Sequence, residues 1–117
     1  MGKRVLIVDD SSLMRKVIAK TLAEHGHTVV GEAKSGREAV EMYKVLRPQA
    51  VTMDITMREM DGLSAAREIL SFDAGARIII VSNLDREKYG KQAERIGAMG
   101  FVAKQQDREF LALLESL

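Results

Sequence analysis

Two hydrophobic rhythms alternate along the whole chain. Short apolar runs, rich in β-branched residues, occur at Arg4–Val8, Thr28–Glu32, Val51–Met53, Arg77–Val81 and Met99–Ala103. Each has the length and composition of a buried strand. Between them the apolar positions recur every three or four residues, which is the period of a helix face. Leu13, Val17, Ile18, Thr21 and Leu22 form one such stripe, and Ala39, Val40, Tyr43 and Leu46 a second, with Pro48 as a stop. Leu63, Ala66, Ile69 and Leu70 form a third, and Phe110, Leu111, Leu113, Leu114 and Leu117 the last. Asp85–Ile96 is the weakest helical segment, because Gly90 in its interior costs ~1 kcal/mol relative to Ala. Cap chemistry supports the starts: Ser11 or Ser12 for the first helix, a capping box in Ser35-Gly36-Arg37-Glu38, and Asp61 before Gly62.

Strands that alternate with helices predict an α/β domain whose parallel sheet is covered on both faces. Right-handed crossovers leave few topologies. The expected one is a flavodoxin-like (βα)5 three-layer sandwich with strand order 2-1-3-4-5. That order makes strands 1 and 3 neighbours. Asp9 and Asp10 close the first run and Asp54 closes the third. All three carboxylates then meet at one end of the sheet, where ligands bind in such folds.

Composition narrows the chemistry. A chain of 117 residues forms one domain, residues 1–117, with a modest core. Its 18 Lys and Arg against 17 Asp and Glu give a net charge of +1, with no basic stripe, so direct nucleic-acid binding is not expected. No apolar stretch approaches the ~20 residues of a membrane span, and the N-terminal run is too short for a signal peptide. The absence of cysteine removes disulfides and thiolate metal sites and fits a cytoplasmic setting. His25 and His27 read as loop residues away from the acids, and the methionines as core and loop filler.

Crowded carboxylates are poor design for stability. Two of them ~4 Å apart repel by about 4 kcal/mol at an effective dielectric near 20. Such a cluster suits a divalent cation, and Mg²⁺ prefers one or two carboxylates with water and phosphate oxygens. The bland readings are Asp9 as a helix cap, Asp54 and Ser82 as turn residues, Lys104 as a surface lysine and Phe101 as plain core.

The ordered set is more specific than any part of it. Val8-Asp9-Asp10-Ser11-Ser12-Leu13-Met14-Arg15, Met53-Asp54-Ile55-Thr56-Met57-Arg58-Glu59-Met60-Asp61-Gly62, Val81-Ser82 and Phe101-Val102-Ala103-Lys104 resemble a two-component response regulator receiver domain, most of all a CheY-like chemotaxis regulator. The resemblance implies a phosphoacceptor switch rather than an enzyme with a separate substrate. It makes Asp54 the phosphoacceptor, supplied by a sensor histidine kinase. Asp9, Asp10, Asp54 and the backbone carbonyl of Thr56 would hold Mg²⁺. Lys104 and Ser82 would contact the phosphoryl oxygens. Ser82 and Phe101 would switch a face of helix 4, strand 5 and helix 5 that binds a motor or adaptor protein, Phe101 turning inward as Ser82 moves. The alternative is a degenerate receiver that binds partners without phosphorylation. A haloacid-dehalogenase-type phosphatase fits poorly, since it wants Asp-x-Asp where this chain has Asp9-Asp10.

Four departures from the family pattern stand out. Arg58 replaces a usual Pro. Gln105 follows Lys104 where Pro is usual, so the peptide should be trans, because a non-proline cis bond costs ~3–4 kcal/mol. Asn83 stands where a small residue is usual, and its bulk should restrict access to the acids. Leu84 offers nothing polar to orient an attacking water, so a phosphoryl group should decay slowly.

Overall fold

The computed structural model describes residues 2–117 and contains five strands and five helices in strict alternation. The strands are β1 (Arg4–Val8), β2 (Thr28–Ala33), β3 (Ala50–Met53), β4 (Ile78–Val81) and β5 (Gly100–Val102). The helices are α1 (Ser12–Glu24), α2 (Gly36–Leu46), α3 (Gly62–Phe72), α4 (Arg86–Ile96) and α5 (Asp107–Glu115). All strand pairs are parallel and the order is β2-β1-β3-β4-β5, as the alternating pattern predicts. β1 has the bounds read from the sequence, and the other strands differ by one residue at one or both ends, where flanking residues still join the ladder. Arg77, for example, accepts a bond from the Val51 N–H at 2.9 Å.

The pleat sorts each strand's side chains into two cores. Leu6, Val8, Val51, Met53, Ile78 and Ile80 pack against α2, α3 and α4. Val5, Ile7, Ala50, Ile79, Val81 and Val102 pack against α1 and α5. Apart from the edge residue Arg4 and the buried Thr52, β1, β3 and β4 are apolar on both faces because both faces are covered.

Three helices follow their predicted stripes. The first does not. Ile18 and Leu22 are buried, but Leu13 is 71% exposed and Val17 44% exposed. α1 is rolled so that Met14 and Ala19 complete the inward line and Arg15 faces the sheet, where it bonds to Asp9 just past β1 and to Glu32 of β2 (below). A stripe shows that a face exists, but neighbouring elements set how it is aimed.

Caps fix where the helices begin. Ser11, not Ser12, caps α1 by accepting from the Met14 N–H at 3.1 Å. Ser35 caps α2, accepting from the Glu38 N–H at 3.1 Å, and Asp61 caps α3, accepting from the Ser64 N–H at 2.9 Å. The capping box is shifted by one residue, because Glu38 accepts from the Lys34 N–H rather than closing on Ser35. The α2–α3 side is clamped by the Tyr43 hydroxyl, which donates to Asp73 at 2.8 Å. Burial first, then that bond, pushes the phenol up to about 12. His25 and His27 lie in the α1–β2 loop, as read. His27 is nevertheless buried, and its Nδ1 accepts from the Lys3 N–H at 3.0 Å.

Gly90 is interior to α4, and a Cβ there would meet nothing nearer than Arg86 Cγ at 3.7 Å. The position has room and ordinary helical backbone. Gly90→Ala is therefore expected to stabilise the fold by ~1 kcal/mol in denaturant unfolding, through helix propensity and a less flexible unfolded chain. A neutral or destabilising result would show that α4 needs the glycine.

Candidate functional site

The sheet ladder builds the site. Val8 is paired with Met53 across β1 and β3, and one further rung follows as the Asp54 N–H donates to the Val8 carbonyl at 3.0 Å. On the other side the Asp9 N–H donates to the Ala33 carbonyl at 3.0 Å. Asp9 and Asp54 thus emerge side by side from adjacent strand ends. Asp9, Asp10 and Asp54 each bring a carboxylate oxygen within 4.8 Å of the others. Asp9 and Asp54 are buried, and Asp10 is exposed at the mouth.

Lys104 completes the cluster from the β5–α5 loop. Its Nζ lies 3.1 Å from Asp9 Oδ2 and 3.5 Å from Asp54 Oδ2. Burial alone would lower the ammonium's pKa, but the bond to Asp9 and the charge of Asp54 outweigh it, so the net shift is upward. Asp54 also moves up. Burial is the main cause, the Asp9 charge adds to it, and Lys104 and the Ile55 N–H at 2.9 Å oppose it. One ammonium therefore leaves two buried carboxylates and a third at the rim incompletely neutralised.

Asp9 is held at four points. Besides its ladder bond and Lys104, its Oδ1 accepts from the Ser11 N–H at 2.9 Å, and its carbonyl accepts from Arg15 Nη1 at 2.8 Å. Arg15 is itself held by Glu32 of β2 at 3.1 Å. Arg15 lies within the Val8–Arg15 motif, but its place in the sequence does not by itself reveal this task. The available signal was an arginine one turn into α1, placed to reach back to the strand end.

The chain after Asp54 folds back tightly. Gly62 donates to the Ile55 carbonyl at 2.7 Å, and a Cβ on it would lie 1.7 Å from the Asp54 carbonyl oxygen. Thr56 sits two residues past Asp54 in the β3–α3 loop with its side chain exposed. Glu59 and Met60 adopt positive φ, 53° and 103°. Their carbonyls accept from Arg37 at 3.2 Å and Gly36 at 3.1 Å, which ties this loop to α2.

Ser82 directly follows β4 and is buried, with its Oγ accepting from the Leu84 N–H at 3.1 Å. Phe101, in the middle of β5, is 8% exposed and packed in the α2–α3–α4 core. Its ring is thus already inside, whereas the sequence reading expected it to turn inward as Ser82 moved. No described peptide bond is cis, so Lys104–Gln105 is trans as expected, with Gln105 at φ 76°. Asn83 was expected to act through its bulk. Its Oδ1 accepts from the Lys104 N–H at 3.1 Å, a bond that expectation did not include.

The donor set fits a hard divalent cation: carboxylate oxygens only, partly exposed, with excess negative charge. No helix among the described residues is long and apolar enough to cross a membrane.

Comparison with known proteins agrees with this geometry. The model of the response regulator receiver domain matches residues 5–114. The chemotaxis protein CheY of Thermotoga maritima is 48% identical over 104 residues, covering 89% of this chain and 87% of its own. CheY of Bacillus subtilis is 45% identical over 119 residues, covering 100% and 99%. CheY in the CheX–CheY–BeF3–Mg²⁺ complex from Borrelia burgdorferi superposes with a TM-score of 0.92 at 35% identity, covering 97% of this chain and 87% of that one. With its acids at the ends of β1 and β3 and its lysine after β5, the chain belongs to the response regulator receiver family as a CheY-like domain.

Proposed function

We propose that Asp54 accepts a phosphoryl group from a histidine kinase and that the modified chain presents a changed surface to a target protein. One observation carries the reading: three carboxylates from two strand ends cluster together, and two of them share a single ammonium. A carboxylate can attack phosphorus and form an acyl phosphate. The Asp54 oxygen gains a bond to phosphorus as the donor's P–N bond to imidazole breaks, and the imidazole leaves with the bonding pair.

The remaining residues position and neutralise. Lys104 would set its point charge against a phosphoryl oxygen. Asp9, Asp10, Asp54 and the Thr56 carbonyl would hold Mg²⁺, which supplies charge neutralisation where negative oxygens approach one another. Ser82 uses an Oγ lone pair for Leu84, so its O–H proton remains to be donated to a phosphoryl oxygen.

The surface that reads this out lies alongside. A groove of about 480 Å³ runs between α4 and β5, lined by Arg86, Gly90, Ala93, Ala98 and Phe101 among others. A phosphoryl group at Asp54 carries roughly −1.5 to −2 charges on strong acceptor oxygens, in place of the single charge of the carboxylate it modifies. If Ser82 turns toward that charge, the space behind it favours the buried Phe101 ring over an outward one. The switch then biases an existing packing rather than creating it. A motor or adaptor protein docking on the α4–β5–α5 face would sense the difference.

Incubation with acetyl phosphate or phosphoramidate and Mg²⁺ should add the mass of one phosphoryl group to the intact chain. Chelation of Mg²⁺ and Asp54→Asn should each prevent it. An unchanged mass under all conditions would overturn the reading in favour of a phosphorylation-independent binding module.

A further inference from the structure

We propose that Asn83 is a positioning residue for Lys104, its carboxamide serving as one extra rung between β4 and β5. The inference rests on the reading that Lys104 acts on a phosphoryl group at Asp54. The regular ladder between these strands ends where the Ser82 N–H donates to the Val102 carbonyl at 3.0 Å. Beyond it the β5 chain enters a tight turn, with the Gln106 N–H donating to the Ala103 carbonyl at 3.1 Å and Gln105 at φ 76°. This is the pattern of a type II turn with Lys104 and Gln105 at its centre.

Two features make that turn weak. Its third position prefers glycine or asparagine, and a glutamine there is strained. The N–H of its second residue, Lys104, is not used by the turn. Asn83 meets that donor with Oδ1 at 3.1 Å. The bond crosses from the loop after β4 to the loop after β5, so it holds the start of the lysine side chain beside the strand end that carries Ser82. From there Nζ reaches Asp9 and Asp54. A long flexible lysine is a precise donor only if its backbone is fixed. Here the fixing group is a side chain, which one substitution can remove.

A residue that merely obstructs the pocket would behave in the opposite way. Removing an obstruction lets the donor in, so phosphorylation would quicken and half-saturate at lower donor concentration. Removing a tether leaves access unchanged and spoils alignment, so the maximal rate falls. Asn83→Ala is expected to lower the maximal rate of phosphorylation by acetyl phosphate about tenfold, with the half-saturating donor concentration unchanged. In a Lys104→Ala background the same substitution should have no further effect, because the group it positions is gone.

The Lys104 amide gives a readout independent of phosphorylation. Its hydrogen exchange should quicken about tenfold in Asn83→Ala and remain slow in Asn83→Asp, which keeps the accepting oxygen. An equal or faster maximal rate in Asn83→Ala, an undiminished effect without Lys104, or unchanged exchange at the Lys104 amide would each overturn the proposal. If the unsubstituted chain takes up no phosphoryl group, the proposed function fails first, and the amide exchange then decides whether the tether exists.

Discussion

Gly62→Ala is expected to be the most damaging single-methyl change in this chain. The added Cβ would lie 1.7 Å from the Asp54 carbonyl oxygen, 2.7 Å from its carbonyl carbon and 3.0 Å from the Ile55 Cα. All three are backbone atoms of the strand end that carries the acceptor. They cannot swing away as a side-chain terminus could. Alanine would gain ~1 kcal/mol over glycine in helix propensity at the start of α3. Overpacking against a fixed neighbour costs typically 1–3 kcal/mol and sometimes more, and backbone against backbone belongs at the upper end. The clash wins, and the net loss should approach 2 kcal/mol, roughly a 10 °C drop in melting temperature for a domain of this size.

Function should suffer beyond stability. To relieve the clash, Gly62 must part from the Ile55 carbonyl, to which it bonds at 2.7 Å, or Asp54 must shift in its ladder. Either displaces the nucleophile, and a displacement near 1 Å costs on the order of 100-fold in rate. Gly90→Ala is the internal control, since the same methyl group there should stabilise. Equal melting temperatures for Gly62→Ala and the parent would show that the β3–α3 loop yields more easily than its bonds suggest.

The second large effect concerns charge. Mg²⁺ should raise the melting temperature of the unphosphorylated chain, because it binds the folded acid cluster and not the unfolded one. At free Mg²⁺ ten times the dissociation constant the gain is about 1.4 kcal/mol, or roughly 5–10 °C. Asp10→Asn should raise the metal-free melting temperature by removing one of the three crowded charges, and should abolish the Mg²⁺ response. Calorimetry of both proteins with and without millimolar Mg²⁺ reads out all four values.

The pH dependence contributed by Asp54 and Lys104 has a definite sign. The folded chain binds a proton at Asp54 more tightly than the unfolded chain does, since burial and Asp9 raise its pKa. Stability from this group is therefore lost as pH climbs from the ordinary aspartate value through the raised one. At neutral pH the ionised carboxylate is a cost. Lys104 works the other way: its raised pKa gives stability that persists through neutral pH and disappears only in alkali, as the pH passes that raised value. Asp73, whose pKa is lowered first by the Tyr43 hydroxyl bond, acts with the opposite sign in mild acid, so the test is a comparison: if Asp54→Asn changes with pH just as the parent does, and Mg²⁺ brings the parent no gain, the account fails.

The comparison of sequence with structure divides along the range of the forces. Strand and helix identity, the caps at Ser35 and Asp61, and the strand order follow from signals within a few residues and from crossover handedness. The acid cluster was legible for the same reason: a residue that ends a parallel strand must appear at one edge of the sheet, and neighbouring strands bring such residues together. The trans peptide after Lys104 followed from the intrinsic cost of the alternative.

The individual side-chain bonds that hold the site together were mostly not legible. The family resemblance did bring Lys104 to the acids, 95 positions from Asp9, but nothing in the sequence pointed to its tether to Asn83, 21 positions away. The Arg15 bond to the Asp9 carbonyl requires α1 to roll, and that roll exposes Leu13 and Val17 despite their perfect helical spacing. Periodicity and chain order alone determined that this protein is a parallel α/β domain with three acids at one end of its sheet. Only tertiary packing decided which side chains hold those acids and the lysine in place, because such bonds depend on angstrom-scale placement of whole elements that no local pattern encodes.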